Sequence, residues 1–177
     1  MEDQTVYILC GHIASGKSTW AEQVANNNDK TIIVCRDDLR RMLKGKYVYE
    51  KKVNDFVRVL ADDIILSALQ KGFNVIIDEV NITKTKRAHW INLIREYNIM
   101  YVPHHLNAPL RVNIEIIHFT NTKGNVERRM AADSRGVSKE RWKSTFESMC
   151  KDFVVPSVDE LPTQSVITTV NIGDKNE

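Results

Sequence analysis

The chain has 177 residues, of which 42% are hydrophobic and 27% are charged, so the composition excludes a disordered tail and predicts one globular domain. Its 25 Lys and Arg residues exceed its 23 Asp and Glu residues by two, which excludes a strongly basic coat protein but allows a local basic site. No segment has the pattern of a signal peptide or a membrane span, and the three widely spaced cysteines favour neither a disulfide framework nor a zinc site. We therefore expect a protein of the cytoplasm.

Five short apolar runs alternate with helical segments along the chain. Runs that are apolar throughout predict strands buried on both faces, and their alternation with helices predicts a parallel sheet of the α/β class. The predicted strands are residues 5–10, 31–35, 74–78, 114–119 and 166–170. We expect one domain over 1–172 and a frayed tail at 173–177.

The predicted helices lie between these strands and carry apolar residues at spacings of three and four. One helix begins near Lys17, and others cover about 84–97 and 138–153. The longest helix, between the second and third strands, has the stripe Val53, Phe56, Val57, Leu60, Ile64 and Ala68. We interpret the stripe of the last helix as core: Trp142, Phe146, Met149 and Phe153.

A glycine-rich turn that matches the pattern G-x-x-x-x-G-K-[ST] follows the first strand. Its two glycines allow backbone angles that a side chain would forbid, and the loop then directs several N–H groups at a phosphate. Lys17 would bind the β- and γ-phosphates of ATP, and the Ser18 hydroxyl would bind Mg²⁺. The residues predicted to bind ATP are Gly11, His12, Ile13, Ala14, Ser15, Gly16, Lys17, Ser18 and Thr19. We interpret His12 as a variable loop position and not as a catalytic histidine.

Two adjacent carboxylates, Asp37 and Asp38, lie between arginines at the end of the second strand. The carboxyl ends of strands are where open α/β sheets bind their ligands. Phosphoryl transfer to an alcohol needs a base that orients the hydroxyl and takes its proton, and an aspartate suits that role. In the alternative interpretation Asp37 caps the following helix while Arg40 and Arg41 are solvated.

The third strand ends in Asp78-Glu79-Val80-Asn81. A carboxylate here can lie beside the phosphate-binding loop and hold Mg²⁺ directly or through water. Asp78 and Glu79 are both candidates, and we prefer Asp78. Helix capping is the alternative.

These motifs together resemble the kinase domain of bacteriophage-type polynucleotide 5′-kinases. The likeness rests on the loop ending in Lys-Ser-Thr-Trp20, on Arg-Asp-Asp-x-Arg at 36–40, and on Asp78, Asn81, Arg87 and Trp90 in that order. It implies a P-loop NTPase fold of the nucleoside-monophosphate-kinase type with an arginine-bearing lid. It also implies that Asp37 is the general base and that Arg40 binds the acceptor, with Asp38, Glu79 and Asn81 as further substrate contacts.

The lid arginines fall in the basic segment after the fourth strand. Arg135-Gly136 matches the second element of the family pattern, and either Arg128 or Arg129 matches the first, at a spacing longer than the family's. Such arginines neutralise charge on the moving phosphoryl group. We assign Arg129 and Arg135 to catalysis and Arg128 to ATP binding. A solvated charge cluster is the alternative.

Three features depart from the resemblance. Val80 stands where the family commonly has threonine, and the segment 100–113 with His104 and His105 is an insertion that could contact substrate. We expect no phosphatase domain, since no residues remain for one.

The predicted reaction is in-line transfer of the γ-phosphate of ATP, with Mg²⁺, to the 5′-hydroxyl of a nucleic acid. We expect it to take place in the cytoplasm, and a phage-encoded enzyme would act in the cytoplasm of the host. Other acceptors remain open: a nucleoside, a small metabolite or antibiotic, or a hydroxymethylated pyrimidine of phage DNA. An ATP-hydrolysing switch protein is the alternative from another class. The Asp37-Asp38-x-Arg40 cluster argues against the switch, because it suits an alcohol acceptor.

Overall fold

The sheet is the frame that positions the predicted site. The structure, a computed structural model, describes residues 3–47, 49–101, 112–120, 124–133, 136–162 and 165–170. The strands, in chain order, are β1 Gln4–Cys10, β2 Thr31–Val34, β3 Asn74–Ile77, β4 Val112–Phe119 and β5 Val166–Val170. They form one sheet in the order β2-β3-β1-β4-β5, and every neighbouring pair is parallel. The predicted five-stranded parallel sheet is confirmed, with strand ends that differ by one or two residues.

Helices follow the strands and cover both faces of the sheet. They are α1 Lys17–Asn26, α2 Arg36–Lys44, α3 Lys51–Gln70, α4 Lys84–Tyr101, α5 Asn125–Ala131 and α6 Lys139–Asp152, and a 3-10 turn covers Val158–Glu160. Helix α4 ends four residues later than predicted and therefore includes the first two residues of the predicted insertion. Strand β4 includes the last two residues of that insertion. The rest of that insertion, with His104 and His105, lies outside the described residues, as does the predicted tail. None of the helices in the described ranges is long and apolar enough to cross a lipid bilayer.

The central strand β1 is sealed on both faces, as its unbroken apolar run predicted. Val6, Ile8 and Cys10 pack into one cluster with residues of α3 and α4, whereas Leu9 faces the smaller cluster beneath α1. One element of the predicted core is wrong: Phe56 on α3 is 57% exposed, while Val57 on the neighbouring face is fully buried. The core-facing stripe of α3 is therefore Val57, Ala61, Ile65, Ala68 and Leu69.

A buried ion pair fastens the segment after α6 to the start of α4. The Arg87 side chain is 0% exposed, and its Nε and Nη2 donate to the Glu160 carboxylate at 2.8 and 2.7 Å. Its Nη1 donates to the backbone oxygens of Asn81 and Val154, both at 3.0 Å. One turn earlier on α4, Lys84 forms an exposed pair with Asp159 at 3.3 Å. The same two segments thus carry one buried and one solvated ion pair.

This contrast predicts the stability of two matched variants. We expect Arg87→Met to lower the free energy of unfolding by about 3–5 kcal/mol, because it leaves the buried Glu160 carboxylate without its cation. Lys84→Met should leave the unfolding midpoint almost unchanged, because its pair is solvated. Urea unfolding followed by circular dichroism measures both. Equal losses in the two variants would contradict the assigned role of the buried pair.

Candidate active site

The phosphate-binding loop connects β1 to α1 and uses its two glycines for different reasons. Gly16 has φ +84 and precedes the first turn of α1, so it needs the left-handed conformation that glycine favours. Gly11 instead needs space, because a Cβ there would lie 2.9 Å from both Phe119 Cβ and Ser15 Oγ. The expectation that both glycines supply unusual backbone angles is correct for Gly16 and wrong for Gly11. The Gly11 amide donates to Val80 O at 3.0 Å, which ties the loop to the end of β3.

Lys17 is held inside the loop and is only 8% exposed. Its Nζ donates to the backbone oxygens of Gly11 at 3.1 Å and His12 at 2.6 Å. Burial lowers the pKa of Lys17 to about 8, while the nearby Asp78 carboxylate opposes that shift. The ammonium group is thus fixed at the base of the loop before any phosphate arrives.

Ser18 and Asp78 place two oxygen groups together beside Lys17. The Ser18 hydroxyl donates to Asp78 Oδ2 at 2.7 Å. Burial raises the pKa of Asp78, and the bond from Ser18 and the charge of Lys17 partly offset this. A hydroxyl and a carboxylate are the hard oxygen ligands that Mg²⁺ takes, so this pair fits that ion.

Glu79, the other candidate at the end of β3, is engaged by an arginine. Its carboxylate accepts from Arg36 Nε at 2.8 Å and Nη2 at 3.0 Å, and also from the Arg36 backbone N–H at 3.1 Å. The Arg36 guanidinium lies 5.4 Å from the centre of the Trp90 ring. Glu79 therefore joins the end of β3 to the start of α2, a positioning contact that sequence reasoning missed.

Asp37 and Arg40 form a second cluster on α2. Arg40 is only 5% exposed, and its Nη1 donates to Asp37 Oδ1 at 2.6 Å while its Nη2 donates to Asn54 Oδ1 on α3. The alternative interpretation is wrong for Asp37, because the N-cap of α2 is Cys35, and wrong for Arg40, which is buried. It is correct for Arg41, which is exposed. Asp38 is exposed and lies 3.6 Å from Arg41. Sequence reasoning missed Asn54, because it lies on the next helix and belongs to no motif.

The structure contradicts the predicted substrate contact of Asn81. Its side chain is 0% exposed, and its Nδ2 donates to Leu9 O at 2.8 Å while its Oδ1 accepts from Trp90 Nε1 at 3.0 Å. Both ends of the amide therefore link β1 to α4 inside the core. The position has φ +40, a left-handed angle that asparagine tolerates better than most residues.

Helix α5 contacts the loop through two of its side chains. Asn125 Nδ2 donates to Ile13 O at 3.0 Å, and Arg128 Nε donates to Ala14 O at 3.3 Å. Arg129 instead lies over the Trp142 ring of α6, with 4.6 Å from its guanidinium carbon to the ring centre. The two arginines that the sequence could not tell apart thus have different surroundings. Arg135 lies outside the described residues.

His12 packs behind the loop. Its imidazole is 4% exposed and stacks on Phe153, with 4.8 Å between ring centres. Burial is the main cause that lowers the pKa of His12, with a smaller contribution from Lys17. The imidazole therefore packs against the end of α6. On the phosphate side of the loop, His12 contributes its backbone, whose oxygen accepts from Lys17.

An open cleft of about 1720 Å³ brings most of the predicted residues together. Its predicted members are Ile13, Ala14, Lys17, Ser18, Asp37, Asp38, Arg40, Asp78, Glu79 and Arg129. Sequence reasoning did not anticipate that Tyr49, Asn54, Arg58 and Trp142 also line it. Gly11, Ser15 and Gly16 belong to the phosphate-binding loop and Thr19 to the first turn of α1, and these four residues do not line the cleft.

A parallel sheet of this order, with such a loop after its central strand, is the architecture of ATP-dependent P-loop kinases. Carboxylates and an arginine facing the loop across one cleft suit phosphoryl transfer. Comparison with known families agrees: the chain belongs to the AAA domain family AAA_33, whose model matches residues 6–150.

Individual known proteins match the chain in sequence or in structure at low sequence identity. The chain is 29% identical, over 96% of its length, to the L-seryl-tRNA(Sec) kinase of Methanococcus maripaludis, and it spans 61% of that protein's length. A fungal RNA kinase structure superposes with a TM-score of 0.65 at 14% identity, covering 96% of this chain and 76% of the other. A chain of the Pnkp1/Rnl/Hen1 RNA repair complex superposes with a TM-score of 0.63 at 20% identity, and the match covers 87% of this chain and 47% of the other.

The depressed pKa of Lys17 predicts proton uptake on nucleotide binding. With a pKa of about 8, the side chain is about half neutral at pH 8, and a bound phosphate favours its charged form. We expect the wild type to take up about half a proton more than Lys17→Arg when it binds ADP at pH 8 without Mg²⁺, and we expect this difference to disappear at pH 6.5. The comparison cancels the protons that the terminal phosphate of ADP itself releases near the lower pH. Calorimetry in buffers of different ionisation enthalpy measures this number.

Lys17→Arg is the matched control, because arginine stays charged throughout this range. Equal uptake by the wild type and this variant at pH 8, or a difference between them that is the same at both pH values, would show that another group binds the proton.

Proposed function

We propose that this chain transfers the γ-phosphoryl group of ATP to a hydroxyl group of a nucleic acid, and that the preferred acceptor is the 5′-hydroxyl of a polynucleotide. The observation that carries the proposal is the Asp37–Arg40 pair, an oriented carboxylate in the same cleft as Lys17 and Ser18. An ATP-hydrolysing switch would need a residue that positions an attacking water, and the Asp37–Arg40 cluster suits an alcohol acceptor better.

On the donor side, the loop amides from Gly11 to Thr19 and the Lys17 ammonium bind the phosphates of ATP. The Ser18 hydroxyl and the Asp78 carboxylate would hold Mg²⁺, which supplies charge neutralisation on those phosphates when bound. Arg128 supports ATP binding through its bond to the loop at Ala14 O.

On the acceptor side, Asp37 accepts the proton of the attacking hydroxyl. The hydroxyl oxygen bonds to the γ-phosphorus while the bond between that phosphorus and the bridging oxygen of the β-phosphate breaks, which releases ADP. Arg40 fixes the carboxylate. In the proposed reaction it also binds the acceptor. Arg129, together with Arg135, stabilises the charge that spreads over the transferred group. Asp38 and Glu79 complete the acceptor side, Glu79 through Arg36.

Two lines of support favour a nucleic acid over a small metabolite. The motifs resemble phage-type polynucleotide 5′-kinases, and the relatives above include enzymes that act on RNA. The cleft is also lined by Arg41, Arg58 and tyrosines, a combination that suits a phosphodiester chain with stackable bases.

The seryl hydroxyl of an aminoacylated tRNA is the second candidate acceptor. It is favoured by the sequence likeness to the archaeal seryl-tRNA kinase, which extends over almost the whole chain. Both acceptors are primary alcohols, so the same base and the same in-line geometry serve either one.

Transfer of labelled γ-phosphate separates these proposals. We expect label at the 5′ end of 5′-hydroxyl RNA or DNA, dependent on Mg²⁺ and lost in Lys17→Ala. Label that mild base releases from seryl-tRNA as phosphoserine would support the second candidate. ATP hydrolysis at the same rate with and without any acceptor would contradict both and favour the switch.

The proposed base makes a sharper prediction. We expect Asp37→Asn to lower kcat for transfer by about 10²–10⁴-fold, because the amide cannot take the proton of the hydroxyl. The Kd for ADP should stay within about twofold, since Asp37 lies on the acceptor side. Asp55→Asn, an exposed position on α3 outside the cleft, is the control. Transfer at an undiminished rate in Asp37→Asn would refute the assignment.

A further inference from the structure

Tyr49 and Phe56 are two strongly exposed aromatic side chains whose surroundings differ. It is 68% exposed, yet it lines the cleft and its ring lies 5.2 Å from the Arg40 guanidinium carbon. Phe56 on α3 is similarly exposed at 57%, but it does not line the cleft. Tyr49 is thus an open ring that is held at one place in the candidate site.

The guanidinium beneath the ring is itself immobilised. Arg40 is buried and donates to both Asp37 and Asn54, so two helices fix the plane on which Tyr49 rests. A cation over one ring face is attracted by the π-electrons and holds the ring in orientation. Since Arg40 occupies one face, the exposed surface of the side chain is left for a second planar partner.

The distance between the Tyr49 ring and the proposed base, Asp37, indicates how far the planar partner lies from the acceptor hydroxyl. The Arg40 guanidinium lies between the Tyr49 ring and the Asp37 carboxylate. Its Nη1 is 2.6 Å from Asp37 Oδ1. A 5′-hydroxyl and the base of its own nucleotide are separated by a similar span, that of one ribose. An alcohol placed at Asp37 would therefore bring its own base to Tyr49.

We propose that Tyr49 is the stacking platform for the nucleobase of the nucleotide that carries the acceptor hydroxyl. This inference rests on the proposed function and narrows its substrate to a strand end whose terminal base is unpaired and able to stack. Alcohols without a base, such as sugars or abasic ends, lack the partner for the ring. Because every base has a π-face, the platform accepts all four bases.

The test compares two 3′-fluorescein oligonucleotides that differ only in their 5′ nucleotide, which is either normal or abasic. Binding is followed by fluorescence anisotropy in the presence of ADP, so the result does not depend on transfer. We expect Tyr49→Ala to weaken binding of the normal oligonucleotide by about 5- to 150-fold, the range for loss of one base–aromatic stack. Binding of the abasic oligonucleotide should change less than twofold.

Three variants make the comparison specific to stacking. Tyr49→Phe should restore binding, because it keeps the ring, whereas Tyr49→Leu should behave like Tyr49→Ala. Phe56→Ala should bind as the wild type does, since it removes an exposed ring outside the cleft. In transfer assays the loss in Tyr49→Ala should appear in KM for the acceptor and not in kcat or in KM for ATP.

The outcomes separate this inference from the proposed function. Equal weakening for normal and abasic oligonucleotides, or a fall in kcat alone, would overturn the platform, since Tyr49 would then act through Arg40 and Asp37. Base-dependent binding without any transfer would support the platform and refute the polynucleotide kinase. Transfer that is insensitive to Tyr49→Ala would refute the platform alone.

Discussion

The hydrogen bonds that buried cations need determine how the residues at the carboxyl edge of the sheet are arranged. Lys17, Arg40 and Arg87 are each less than a tenth exposed, and burying a charge is costly unless oxygens surround it. Lys17 meets this need with backbone oxygens of its loop, Arg40 with Asp37 and Asn54, and Arg87 with Glu160 and two carbonyls. Each cation thereby fixes a different part of the site: the phosphate loop, the acceptor carboxylate and the segment behind the loop.

These three centres are coupled through the ends of the central strands. Asn81 lies four residues after the end of β3. Its backbone oxygen accepts from Arg87, and its side chain bonds to β1 and to Trp90. Glu79, two residues earlier, holds Arg36 and with it the first turn of α2 on which Asp37 lies. A short stretch after β3 therefore sets the donor and acceptor halves of the cleft relative to each other, although part of it never touches the cleft.

Local patterns predicted the sheet and the loop, because apolar runs and a contiguous glycine motif report directly on local structure. They failed where the answer depends on distant contacts. Nothing within α2 shows that Arg40 is buried, because its partner Asn54 comes from the next helix. Asn81 matched a motif and was assigned to substrate, whereas its surroundings inside the core decide its role. Phe56 shows the same limit for packing, since a stripe with apolar residues on two adjacent faces does not reveal which face turns inward.

The two halves of the cleft are built from different material, and this bears on how substrate choice is encoded. The proposed donor half consists mainly of backbone groups, Lys17 and Ser18 within residues 11–19, with Asp78 beside them, so most of its geometry follows from chain conformation. The acceptor half consists of long side chains from α2, the following connection and α3, and Arg40 holds it together. Side chains can change without disturbing the loop, so kinases of this architecture can keep one donor and exchange acceptors. We therefore propose that residues 36–58 determine the identity of the acceptor, with Asp37 as the proposed base and Tyr49 as the proposed stacking platform.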